Sequence, residues 1–120
     1  MVNKYSKYAD FLTIYIEEAH PNDSWELPDA TYAPNIKQPT TLTERIELAK
    51  CFASKFQDHP FGTLVVDTLD FYNNAAGAYA AWPERLYIIQ NDVCLYKGGP
   101  GPFGYILKDI EDWLVKQYGE

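Results

Sequence analysis

The sequence predicts an α/β domain, and three observations carry that prediction. Two short apolar runs, FLTIYI at 11–16 and TLVV at 63–66, are separated by a segment of helical spacing, the arrangement of parallel strands joined by a crossover helix. Two more runs, at 85–89 and 93–97, flank Gln90-Asn91-Asp92 and read as a β-hairpin. An amphipathic segment from about Ile106 to Tyr118 follows them.

Taken in order, residues 1–10 place Val2, Tyr5 and Tyr8 at helical spacing and read as the last two turns of a helix. So short a helix is marginal alone, so the chain reads as beginning in the middle of a domain. The strand at 11–16 delivers Glu17, Glu18 and His20 to one rim, where open α/β sheets place their chemistry. Residues 21–41 are rich in Pro, Asn, Asp and Thr and form a long loop carrying Trp25, Tyr32 and Ile36. Thr41-Leu42-Thr43-Glu44 is a capping box that starts a helix at Leu42. Leu42, Ile46, Ala49, Phe52, Ala53 and Phe56 recur at steps of three and four to about Gln57, and His59-Pro60 stops the helix. The run at 63–66 reads as a central parallel strand covered on both faces, with Asp67 and Thr68 at the rim. A short helix is expected within 71–81, and the last helix is expected to bury Ile110, Trp113 and Leu114. The cluster at 98–102 lacks the Gly-Lys-Ser/Thr of a phosphate loop and reads as a tight connection. This order describes a thioredoxin-like sheet with flanking helices, lacking its first strand and most of its first helix: one domain over 1–120, incomplete at its N-terminal end.

A chain of 120 residues carries one core. Its net charge of −7, with no Lys/Arg cluster, argues against nucleic-acid backbones and against anionic membrane surfaces. No apolar run reaches the length of a membrane span, and residues 1–4 lack a secretory signal's apolar core, so the chain reads as soluble as written and its compartment stays open. Cys51 and Cys94 are far apart with no Cys-x-x-Cys, which argues against a disulfide framework, a zinc ribbon and a dithiol motif; both are expected to be packing residues. No metal site is expected.

Three stretches, DFLTIYIEEAHPNDSW, LVVDT and PERLYIIQNDVCLYKGGPGPFGY, together resemble the catalytic domain of the iodothyronine deiodinases, selenoenzymes of thioredoxin-like, peroxiredoxin-related fold. The resemblance runs from Asp10 to about Leu114. It implies an oxidoreductase of thyroid hormone metabolism that reductively removes iodine from aromatic rings. Its attacking selenocysteine would lie in a turn between the first strand and first helix, a segment absent from this sequence. The resemblance makes Glu18 and His20 the catalytic acid and imidazole beside the selenol, able to supply the proton that the ring carbon needs. It makes Arg85 a clamp for an anionic substrate group. Trp25 becomes a wall for a flat ring, or alternatively an anchor pinning its own loop to the core. No cofactor is implied within this chain; a thiol reductant is expected for the full-length enzyme. The implied partners are a small iodinated aromatic substrate, a second copy in a homodimer, and a membrane anchor only where one precedes Met1.

Two departures from the family pattern stand out. A second His ahead of the central helix is replaced by Gln38, Pro39 and Thr40, and a Cys before the LVVDT strand is replaced by Phe61-Gly62-Thr63. Both bear on substrate specificity and on the thiol that regenerates the enzyme. A peroxiredoxin-like thiol or selenol reductase and a non-catalytic thioredoxin-like binding module stay open as alternatives. The enzyme reading expects an in-frame selenocysteine or cysteine codon about one helix length upstream of Met1.

Overall fold

A computed structural model describes residues 1–27, 36–58 and 60–120. The elements run α1 (Val2–Tyr5), β1 (Leu12–Tyr15), α2 (Leu42–Lys55), β2 (Thr63–Val66), α3 (Asp70–Tyr79), β3 (Tyr87–Gln90), β4 (Val93–Lys97) and α4 (Leu107–Tyr118). The class is mixed α/β, compatible with a thioredoxin-like arrangement. The strands lie in two ladders of two: β1 with β2, parallel, and β3 with β4, antiparallel. Tyr32 and the helix stop at His59 lie outside the described residues.

α2 starts where its capping box dictates. The Thr41 side chain accepts from the Glu44 amide at 3.2 Å. The reciprocal arm reaches one residue further than expected, with Glu44 Oε2 accepting from the Thr40 amide at 2.7 Å. In the β1–β2 ladder, Leu12 pairs with Thr63 and Tyr15 with Val66. One expectation is corrected here: β2 is not covered on both faces. Thr63 and Val65 are exposed, and among the described residues β2 pairs with β1 alone.

The Phe11 and Tyr15 carbonyls accept from the Thr63 and Asp67 amides. Backbone direction alternates along a strand, so the polar groups of Leu12 and Ile14 aim at the opposite edge of β1. No described strand covers that edge, and Leu12 is 62 % exposed.

The hairpin turns through Asn91 and Asp92, both at positive φ (51° and 61°), as a two-residue hairpin loop requires. A bulge between Ile88 and Ile89 pairs Ile89 with Cys94. Leu86, Ile88 and Tyr96 pack against the main apolar cluster of Tyr5, Ile110 and Leu114. α1 is a single turn rather than two, held by burial of Tyr5 and by its hydroxyl donating to the Gly119 carbonyl at 2.9 Å. Tyr8 lies outside the helix and stacks on Tyr118 at 5.0 Å. The connection at 98–102 continues the hairpin, the Gly98 and Gly101 amides donating to the Leu86 and Glu84 carbonyls. A Cβ on Gly104 would stand 2.6 Å from the Gly99 backbone, so this close chain crossing needs glycine.

Both cysteines are exposed, which corrects their reading as packing residues. Cys51 is off the inner stripe of α2, which runs through Arg45, Ala49 and Phe52. Cys94 shares its register position with Ile89, itself 53 % exposed.

Candidate active site

The candidate residues gather where the chain leaves β1. Tyr15 is the last residue of that strand, and its hydroxyl donates to Glu18 Oε1. Burial, and then the Glu18 hydrogen bond and charge, push the phenol's pKa well above its ordinary value, so the donor keeps its proton at every physiological pH. The Glu18 backbone is fixed from the other side by Gln38. Its amide donates to Gln38 Oε1 and its carbonyl accepts from Gln38 Nε2, both at 3.0 Å. Gln38 is itself held by its amide donating to Asp23 Oδ1 at 3.0 Å, and the Asn22 amide donates to the Ile36 carbonyl at 2.7 Å. Two ends of the long loop are thereby tied to Glu18, three residues past the strand. A side-chain amide can do this because it offers a donor and an acceptor side by side, as a backbone does.

His20 lies 3.0 Å through Nδ1 from the Trp25 carbonyl. A carbonyl can only accept, so Nδ1 carries the hydrogen and Nε2 is the nitrogen free to take up or release a proton. The Trp25 ring meets the imidazole edge-on at 4.6 Å and 70°. His20 touches neither Glu17 nor Glu18 by hydrogen bond or ion pair among the described residues.

Below this layer lies a buried polar cluster. Arg45 is 2 % exposed and Asp67 4 %. Arg45 Nη1 donates to the Asp67 and Thr68 carbonyls at 3.1 and 3.3 Å, and Nη2 to Asn73 Oδ1 at 2.7 Å, while Nε has no partner. The guanidinium charge also acts on Tyr15, opposing part of the upward push on its phenol. The Asp67 carboxylate accepts from the Ala75 and Ala76 amides at 2.8 and 2.9 Å. Asn73 has φ 61°, which breaks the regular run of α3 and frees these amides for a carboxylate cap.

Arg85 stands two residues before β3 and is half-buried, with Nε buried and unpartnered. Among the described residues it pairs with neither Glu84 nor Asp67. The structure thus joins Tyr15, Glu18 and Gln38 in one set and His20 and Trp25 in another. Among the described residues no hydrogen bond or ion pair links Arg85 to either. Trp25 is 66 % exposed, so it does not pin its loop into the core. No group of three His, Cys, Asp or Glu suited to a metal ion occurs among the described residues.

Sequence reasoning missed Tyr15, Arg45 and the part played by Gln38. Arg45 had a signal: it precedes Ala49 by four and Phe52 by seven, on the buried stripe.

Comparison with known proteins gives a consistent result. Residues 1–118 match the family model described as iodothyronine deiodinase. The chain is 42 % identical over 116 residues to proteins named thyroxine 5-deiodinase from Bos taurus and Homo sapiens, covering 97 % of this chain and 36 % of each relative. A protein of the same name from Sparus aurata is 41 % identical over 118 residues, 98 % of this chain and 41 % of the relative. The chain therefore spans little more than a third of the length of these curated relatives.

Proposed function

The chain belongs to the iodothyronine deiodinase family, and from that premise we propose that it forms the proton-handling and substrate-binding part of a reductive deiodinase site. The nucleophile, a selenol or thiol, comes in this reading from a segment outside this sequence. The observation that carries the proposal is the set at the end of β1: Tyr15 holding Glu18, Gln38 fixing its backbone, and His20 with a free Nε2. The edge of β1 that no described strand covers supports it, because a strand added there would bring a following turn toward the same rim.

In the reaction, the selenolate or thiolate attacks iodine, a chalcogen–iodine bond forms, and the carbon–iodine bond breaks with its electron pair left on the ring carbon. That carbon takes a proton from Nε2 of a doubly protonated His20, whose Nδ1–H stays on the Trp25 carbonyl, and the reducing thiol returns a proton to Nε2. Two equivalents of an external thiol then reduce the chalcogen–iodine bond, giving iodide, a disulfide and the regenerated nucleophile. Arg85 would bind an anionic group of the substrate through its planar fork, and Trp25 would flank the aromatic ring.

The test is iodide release from iodothyronines, set against peroxide reduction, by a full-length form bearing the nucleophile. His20→Gln should lower turnover by ~10²–10⁴-fold, the usual weight of a general acid or base. Wild-type turnover in that variant would remove His20 as proton donor. Peroxide reduction without iodide release would favour the peroxiredoxin-like alternative.

A further inference from the structure

Trp82 is a large aromatic that the proposed site does not use. α3 ends at Tyr79, and Ala80 (φ 49°) turns the chain back, with the Ala81 amide donating to the Ala76 carbonyl at 3.0 Å. The next residue is Trp82, 41 % exposed, whose ring lies 6.2 Å from that of Trp25 at an interplanar angle of 35°. Trp25 in turn meets His20 at 4.6 Å. Three rings from two distant parts of the chain thus form a continuous row that begins at the half-buried imidazole and runs to two exposed indoles.

We propose that Trp25 and Trp82 together form an aromatic ledge that seats an iodinated phenolic ring beside His20, with Trp82 setting affinity for that ring. The ring class rests on the deiodinase reading; the ledge itself rests on the geometry. Interposing a ring between the two indoles would need two contacts of about 3.5 Å each, more than the 6.2 Å between their centroids. The ligand therefore lies across both faces. Two exposed indoles side by side leave apolar surface in water that a flat, polarizable ring would cover, and offset or edge-to-face aromatic contacts favour such a ring over an aliphatic one. Trp25 takes φ 43°, a setting that bulky residues rarely adopt, and its ring is left largely in solvent.

The experiment is a titration of the chain with 3,5-diiodotyrosine, followed by tryptophan fluorescence, with tyrosine as the iodine-free control. Iodine quenches an indole that it touches. Trp113, half-buried beside the apolar cluster, supplies a constant background. Saturable quenching by diiodotyrosine is expected in the wild type. Trp82→Phe should keep the affinity and lose part of the quenching amplitude, and Trp82→Ala should weaken binding roughly threefold to tenfold, the range for one aromatic contact. Unchanged affinity in Trp82→Ala, or no saturable quenching in the wild type, would overturn the ledge. Either result leaves iodide release by the full-length enzyme as the separate test of the deiodinase reading, and a circular-dichroism spectrum matching wild type keeps the alanine variant interpretable.

Discussion

Around α4 the deepest side chains are apolar: Tyr5, Ile110 and Leu114, with Leu86, Ile88 and Tyr96 of the hairpin packed on them. Around α2 the deep side chains include the charged Arg45 and Asp67, whose Nη groups and carboxylate meet named partners while Arg45 Nε meets none. Apolar contact is non-directional, so the first region depends on volume and shape. A buried charge is tolerable only where hydrogen bonds replace its water, so the second depends on direction. The candidate site stands on the second. Tyr15 carries Glu18 and lies near enough to Arg45 to feel its charge, so the rim carboxylate and the buried guanidinium meet at one phenol.

The largest effect should come from removing that guanidinium. Arg45→Met leaves the Asp67 and Thr68 carbonyls and the Asn73 amide oxygen without their donor. At about 1–3 kcal/mol for each of these three groups, the loss in urea unfolding should be at least about 3 kcal/mol. The conservative pair sharpens the contrast. Leu114→Met keeps volume and should cost less than about 1.5 kcal/mol, whereas Arg45→Lys keeps charge but offers one ammonium in place of a fork and should cost clearly more. Equal losses for the two would break the distinction between a region held by shape and one held by direction.

The same distinction explains what the sequence made legible. Periodicity and turn chemistry report shape, so β2, the hairpin and the limits of α2 and α4 could be read to within a residue or two from Thr41-Glu44, Asn91-Asp92 and the spacing of Ile110 and Leu114. Directional contacts leave a fainter trace. Arg45 lies on an apolar stripe, but a charge there reads as solvent-facing until its partners are known. In the sequence Gln38 reads only as the absence of an imidazole, and the structure reveals it as the brace of Glu18. The missing cover on β2 was illegible for a different reason: a continuous apolar run predicts burial without saying which element supplies it.

Between the buried cluster and the rim, Tyr15→Phe should have an intermediate effect, about 1 kcal/mol at neutral pH for a half-buried hydrogen bond to a carboxylate. Its pH dependence tests the cause. An unfolded tyrosine ionises near 10, whereas the folded Tyr15 holds its proton above that value. The stability that Tyr15 contributes is therefore whole below pH 10 and drains away as pH rises toward the folded value. The difference between wild type and Tyr15→Phe should hold from pH about 8 to about 10 and shrink as pH rises to about 11. A difference that stays constant over that span would mean that the hydroxyl is not buried against Glu18 in solution.

The smallest effect belongs to the solvent-facing edge of the direction-held region, at the start of α2. Glu44 has its pKa lowered from 4.5 chiefly because its carboxylate accepts from the Thr40 amide, with the Thr40 hydroxyl, the Thr41 backbone and the Lys37 charge adding to this and partial desolvation opposing it. The unfolded chain therefore binds the proton at higher pH than the folded one. The contribution is present above the unfolded value and is lost as pH falls through the depressed folded value. Glu44→Gln keeps an acceptor for Thr40 and removes the charge, so its deficit against wild type should be measurable by urea unfolding at pH about 6 and should shrink toward pH about 3. If the contact acts only as a neutral hydrogen bond, the deficit will be the same at both pH values, and the charge will have no part in holding the helix start. Because this carboxylate is fully open to water, added salt should also weaken the effect of Lys37 on it while leaving the Thr40 hydrogen bond in place. Arg45, screened from solvent, should show no such salt dependence, which separates the buried end of the direction-held region from its exposed end.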